Sequence, residues 1–461
     1  MPPLRLPSLI ALAAVAAAAV AIAAGPPGGL SETTWRGAAV CFMAATLWAT
    51  AVMPEYVTAL LLFLLAMVLG LAPASVVFSG FHSGAAWMVF GGLIVGAAVV
   101  ASGLGDRLAL VFARALRGSY TWMLAGLCWI TAALSFFLPS ANGRVLILLP
   151  ITLGLAERAG FGPGSTGRTG LCIAVAATTI YASAPVMTAG VPNLVLLGAA
   201  ESIHGLHFSY AGWLRLHFPV LGFVALGCLP FIVRALFPAT ARAPADAPAA
   251  ADPLRPDQRR LAAYLVIALV LWASDTVHGI APAWIALAVA ILCVVPRTGV
   301  ISAAEAMQRI NLSGWVYVSG IIGMGALVTH TGLGDHLSRL FLDALPLSPG
   351  HDFRNFVLIV AVGMVLALIA GTAGLPAILT PVAPAIASAT GWPLETVLMA
   401  QIPSCTMGLF PYQYTPLILG VAIADLRLGD AARLMVAFTI FSWLVLVPLQ
   451  YLWWRQIGMF G

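Results

Sequence analysis

Apolar stretches, each nearly long enough to cross a bilayer, follow one another along this chain almost without pause. A hydrocarbon core of ~30 Å needs about 20 apolar residues per helix, and lipid tolerates only backbone that satisfies its own hydrogen bonds. Only 8% of the residues are charged, against roughly a quarter in soluble domains, so water is not the main solvent of this surface. The expectation is an all-α polytopic membrane protein.

Apolar runs between charges and Gly/Pro breaks place spans at 8–24, 35–53, 55–72, 84–113, 170–200, 213–237, 260–274, 281–296, 311–345, 395–423 and 431–454. Two further segments, 120–158 and 353–390, are apolar but interrupted midway. Pro139-Ser140-Ala141-Asn142-Gly143 breaks the first and Gly371-Thr372-Ala373-Gly374 the second. Each is expected to be a re-entrant hairpin, giving about 11 transmembrane helices plus two hairpins. Residues 1–25 imitate a signal peptide, yet the run is nearly span-length and is expected to remain as an N-terminal helix within 1–30. The polar stretch 238–258 is the candidate cytoplasmic linker between halves 31–237 and 259–461.

Charge placement tests the hairpins. All 21 basic residues are Arg. With the N-terminus inside and both hairpins re-entrant, the cytoplasmic side holds Arg5, Arg107, Arg114, Arg117, Arg158, Arg168, Arg234, Arg242, Arg255, Arg259, Arg260, Arg297, Arg309, Arg427 and Arg433. Only Arg36, Arg215, Arg339, Arg354 and Arg455 fall outside, with Arg144 left at the first break. Making either hairpin a full crossing destroys this positive-inside bias. The net charge of +5 is therefore a topology signal: the arginines form no basic stripe with interleaved aromatics, and no nucleic-acid partner is expected. The six cysteines lie singly in apolar runs without metal-ligand spacing and read as buried hydrophobes.

Ser102-Gly-Leu-Gly-Asp106 recurs as Thr331-Gly-Leu-Gly-Asp335, and Trp48-Ala-Thr50 is echoed by Trp272-Ala-Ser274. The plainer reading is a helix-ending turn used twice. A shared spacing with the hairpins favours two repeats, and five crossings per half would invert the second.

Two more interruptions occupy matching places: Thr188-Ala189-Gly190-Val191-Pro192-Asn193, and Phe410-Pro411-Tyr412-Gln413-Tyr414-Thr415-Pro416. Pro removes a backbone donor and Gly permits unusual dihedrals, so helices stop there and free amides and carbonyls appear. Amides at helix N-termini attract anions, and carbonyls and hydroxyls ligate sodium. Ser140, Asn142, Pro192, Asn193, Thr372, Gln413 and Thr415 are candidate substrate-binding positions, the alternative for each polar side chain being a cap on its own helix end. Ser140, Asn142, Gly190, Thr372, Gly374 and Pro411 are candidate sodium positions.

From Trp48 to the C-terminus the sequence resembles the divalent anion:sodium symporters. The resemblance is carried by Trp48…Met53-Pro54…Thr58-Ala59-Leu60, Gly91-Gly92…Ser102-Gly-Leu-Gly105, Val191-Pro192-Asn193-Leu194, Trp272…Asp275…His278-Gly279 and the 410–416 break. It implies substrate binding between the hairpin tips and the broken spans, and a homodimer of scaffold and moving parts. Family tips carry a Ser-Asn-Thr signature; here they read Ser140-Ala-Asn142-Gly-Arg144 and Gly371-Thr372-Ala-Gly374.

Arg144 sits deep in an apolar hairpin, where an unpaired charge costs at least ~2.5–3.5 kcal/mol. Its guanidinium is expected to clamp an anionic substrate or to replace a bound sodium; the plainer reading is that it caps carbonyls at the tip. None of the 16 acidic residues falls at a tip or break, which disfavours a carboxylate proton relay. No nucleophile–base pair or metal-ligand motif points to an enzyme. The expected function is secondary transport of a small anion, a di- or tricarboxylate or sulfate-like ion, across a bacterial inner membrane. Sodium is the first expectation for the coupling ion, and no cofactor is called for. The alternatives are a sodium-independent exchanger or uniporter using Arg144 as its cation, and, in another class, an anion channel.

Overall fold

The computed structural model describes residues 6–26, 28–116, 118–138, 140–241 and 253–461. Pro139 at the first tip, Arg5, Arg117 and Arg242 of the charge count, and 242–252 of the linker lie outside the described residues. Every regular element among those described is helical.

Five helices are each long and apolar enough to cross a bilayer: Leu6–Ala24, Gly84–Ser102, Tyr210–Leu236, Asp352–Thr390 and Leu428–Gln456. Ser313–His330 qualifies jointly with Ala303–Arg309, from which it bends by 65°. The rest of the apolar sequence forms shorter helices, including Glu55–Val68, Tyr120–Ser135 and Pro282–Val294.

The expected runs 84–113 and 311–345 each comprise two helices. The first members end where Gly103 and Gly332 take left-handed φ of 65° and 74°, a conformation that suits glycine. The second members, Leu104–Ala115 and Leu333–Ala344, are amphipathic. In the latter, Leu333, Leu337 and Phe341 pack on the core, while Asp335, Arg339 and Asp343 are exposed. The Gly-Leu-Gly-Asp motif is thus a helix-ending turn used twice, at matching places in the element order.

That order recurs throughout. Glu55–Val68, Gly84–Ser102, Leu104–Ala115, a hairpin, a broken helix pair and Tyr210–Leu236 are followed by Pro282–Val294, Ser313–His330, Leu333–Ala344, a hairpin, a broken pair and Leu428–Gln456. Even the π-helical turns repeat, at Phe218–Val224 and Ser442–Leu446.

Close contacts between the halves are reciprocal. A Cβ on Gly91 would meet the Ala286 backbone at 2.9 Å, and one on Gly320 would meet the Ala59 Cβ at 2.5 Å, so both crossings depend on a missing side chain. Gln258 Nε2 donates to Ser102 O (2.9 Å), and Thr34 Oγ1 donates to Thr331 O (2.7 Å). Each half therefore caps the other's motif helix from the corresponding helix, Pro256–Ala273 or Glu32–Thr50.

Carboxylates serve as caps too. Glu201 accepts from Gly84 N (2.8 Å), and buried Asp275 accepts from Tyr210 N, each placing negative charge at a helix N-terminus. Five of the cysteines are buried and Cys228 is half-buried.

Candidate functional site

The first hairpin consists of Tyr120–Ser135 and Ala141–Arg158. Ser140 adopts extended backbone and accepts from Gly143 N (3.1 Å), capping the returning helix. Asn142, one turn in, is exposed.

Facing this tip is the first broken span. Thr166–Tyr181 ends earlier than the apolar pattern suggests, residues 182–190 are irregular, and Val191–His204 then begins with Pro192 in its first turn. Buried Asn193 holds the loop with Nδ2 donating to Ser183 O (2.8 Å) and Val186 O (3.0 Å). Thr188 is buried beside a small cavity that also touches Phe137 of the hairpin turn and Trp272.

Arg144 joins hairpin to loop. Its side chain is 0% exposed and donates to Leu138 O (2.5 Å), Thr179 O (2.9 Å), Ser183 Oγ (2.7 Å) and Ala189 O (3.2 Å). No carboxylate pairs with it among the described residues. Of the roles expected for it, carbonyl capping is the one present in the geometry, and it extends well beyond the tip to both ends of the neighbouring break.

The second expected hairpin, Asp352–Thr390, is two helices joined at a kink at Gly371 (φ 72°, ψ 164°). Thr372 is 8% exposed and Gly374 is buried. Helix Leu394–Met399 is short, and the break runs from 400 to 414 with only two 3-10 turns, Pro403–Thr406 and Pro411–Gln413. Gln413 Oε1 accepts from Leu409 N (2.8 Å) and Phe410 N (3.0 Å), and its Nε2 donates to Ala367 O of the hairpin (3.3 Å). Cys405 Sγ lies 3.9 Å from Thr372 O and 3.7 Å from Gln401 O. Phe410 and Tyr412, stacked at 5.7 Å, are exposed beside half-buried Pro411, and Thr415 is exposed at the start of Thr415–Ile423.

The two half-sites are crossed. Thr415–Ile423 packs on both the first hairpin and Thr166–Tyr181: a Cβ on Gly420 would lie 2.7 Å from the methyl of Ala176 in that helix and 3.7 Å from Val145 of the hairpin. Val191–His204 packs on the second hairpin, and His204 Nε2 lies 2.9 Å from Thr380 O. Helices thus resume after the breaks at Ala141, Val191 and Thr415, and after the Gly371 kink, with Thr415–Ile423 packed on Ala141–Arg158 and Val191–His204 packed on Asp352–Thr390. Such N-termini favour anions without any free cationic side chain.

Ser140, Arg144, Gly190, Pro192 and Asn193 fall in the first half-site, and Thr372, Gly374, Pro411, Gln413 and Thr415 in the second. Sequence reasoning missed Thr179, Ser183 and Ala189 as partners of Arg144, and also Gln401 and Cys405. Pro185 was the available signal that the first helix stops early, and Pro403 the corresponding one in the second.

An all-helical membrane protein whose apolar helices are interrupted at matching places in the element order has the architecture of a polytopic transporter. A profile of the sodium:sulfate symporter transmembrane region matches residues 6–460, and the chain belongs to that family, the divalent anion:sodium symporters. It is 26% identical to the inner membrane protein YbhI of Escherichia coli, with 94% of each chain covered. It is 25% identical to chloroplastic dicarboxylate transporter 2.2 of Arabidopsis thaliana, covering 84% of this chain and 73% of that one. Its fold is similar to that of the YdaH transporter of Alcanivorax borkumensis, with a TM-score of 0.54 at 17% identity over 93% of this chain and 99% of that one.

Proposed function

We propose that this protein is a secondary active transporter of a small di- or tricarboxylate or sulfate-like anion in a bacterial inner membrane. The observation that carries the reading is the crossed packing of the interrupted helices, Thr415–Ile423 on the first hairpin and Val191–His204 on Asp352–Thr390, together with a buried arginine already engaged by neutral oxygens. The helix starts favour an anion through their dipoles and unpaired backbone donors, to which Asn142 and Thr415 add exposed side chains.

Transport proceeds by alternating access. The reciprocal contacts between the halves, Gly91 with Ala286 and Gly320 with Ala59, support a two-fold relation between repeats. The arginine bias supports an inverted relation, with the N-terminus cytoplasmic. The two inverted packings then correspond to inward- and outward-open states of one carrier around one site. Sodium is the coupling ion suggested by the family, and the homodimer implied by the resemblance is retained as part of the reading.

The test is thermal stability of the purified protein against dicarboxylates, tricarboxylates and sulfate, followed by uptake into proteoliposomes. A ligand that binds only the folded state adds about 2.7 kcal/mol at 100 times its Kd. One anion class should stabilise the protein and show saturable uptake. Stabilisation by none of them, or large unitary currents in place of saturable flux, would refute the carrier.

A further inference from the structure

Arg144 is surrounded as a dehydrated cation would be. Four neutral oxygens converge on its guanidinium: Leu138 O from the hairpin turn, Thr179 O from the end of one half-helix, Ala189 O from just before the next, and the Ser183 hydroxyl between them. Ser183 Oγ is itself 2.6 Å from Thr179 O and 2.9 Å from Ala189 O, so the oxygens form one cluster. They belong to three segments whose oxygens meet around the two terminal guanidinium nitrogens, while Arg144 Nε has no partner among the described residues. A positive charge is what holds them together, and here it is covalently attached.

The second half is built differently at corresponding places. Four residues past the tip residue Ser140 stands Arg144; four past Gly371 stands Leu375, fully buried. Two residues past the end of Thr166–Tyr181 stands Ser183, bound to Arg144; two past the end of Leu394–Met399 stands Gln401. Gln401 is 1% exposed, and among the described residues neither its Oε1 nor its Nε2 has a partner. Its backbone oxygen and that of Thr372 flank Cys405 Sγ, which places it beside the second tip. Leaving a buried amide unsatisfied is costly, so it calls for a ligand.

We propose that Arg144 is a resident cation replacing a dissociable one in the first half-site, and that only the second half-site, with the Gln401 amide oxygen among its ligands, takes a monovalent cation from solution. The consequence is asymmetric coupling: at most one sodium per anion enters through this machinery. That consequence rests on the anion-carrier reading; the ion-site assignment does not.

The experiment uses the full-length protein, with melting temperatures and anion uptake measured in sodium chloride or choline chloride at matched ionic strength. Wild type should respond to sodium with a Hill slope no steeper than about one, and Gln401→Leu should abolish that response. A slope approaching two, or no sodium response in wild type, would overturn the corresponding half of the proposal. Arg144→Ala leaves the oxygen cluster without its cation. It should lose stability in choline and recover in sodium, at least doubling the sodium-minus-choline difference, whereas Arg144→Lys should not acquire that extra dependence. An Arg144→Ala protein that folds but gains no sodium response would overturn the assignment. If it folds in neither salt, the wild-type slope and Arg144→Lys decide. Melting shifts in Arg144→Ala need no substrate, so failure to find a stabilising anion would strike the carrier reading alone.

Discussion

Gly371 is the position where backbone geometry makes the sharpest demand. Its φ of 72° with ψ of 164° lies in a region open essentially to glycine, and a Cβ added there would meet nothing within 4 Å. Gly371→Ala therefore introduces backbone strain without a steric clash, at about 1–3 kcal/mol. Because the strain sits at the second tip, it should also tilt the tip away from its binding geometry. If all of it is felt in binding, anion affinity falls roughly fivefold to 150-fold. The matched control is Gly154→Ala, in mid-helix, again with nothing within 4 Å and no left-handed φ. There the substitution removes glycine's entropic penalty and should stabilise by roughly 0.5–1 kcal/mol. Both variants would be compared by reversible denaturant titration in detergent and by anion-dependent thermal shift. Equal stability of the two, or unchanged affinity in Gly371→Ala, would refute the strained-tip argument.

Other substitutions test the remaining contacts. Asn193→Ala removes the donors that close the 182–190 loop and should cost about 1–3 kcal/mol, with reduced uptake, read by melting and transport together. Thr34→Val and Gln258→Ala each strip a cross-half cap; they share no partner, so their losses of about 1 kcal/mol should add in the double variant. Gly420→Ala drives a methyl to 2.7 Å from Ala176, and overpacking of about 1–3 kcal/mol should appear as lower stability and slower uptake. Ser140→Ala, which loses only an N-cap, should cost about 1 kcal/mol and leave Arg144 in place, visible as a small melting shift.

The helical membrane class and the four interruptions were legible in the sequence because they follow from local chemistry. Apolar run length records the solvent, and Gly and Pro mark where a helix cannot continue. The repeated Gly-Leu-Gly-Asp motif announced its turns, since a left-handed residue at Gly103 or Gly332 is a local requirement. Helix boundaries were less legible: Thr166–Tyr181 stops well before the Gly-Val-Pro break, because tertiary bonds from Arg144 and Asn193 satisfy carbonyls that a longer helix would have used. The partners of Arg144 could not be read at all. They are mostly backbone oxygens, which every residue carries, so no side-chain pattern marks Thr179 or Ala189. The same holds for Gln401, whose lone amide in an apolar run acquires meaning only from being buried beside the second tip without a partner. Sequence alone determined where this chain must be helical and where its helices must break. Tertiary packing decided which broken ends meet and which charge they enclose, because that depends on contacts between residues far apart in the chain.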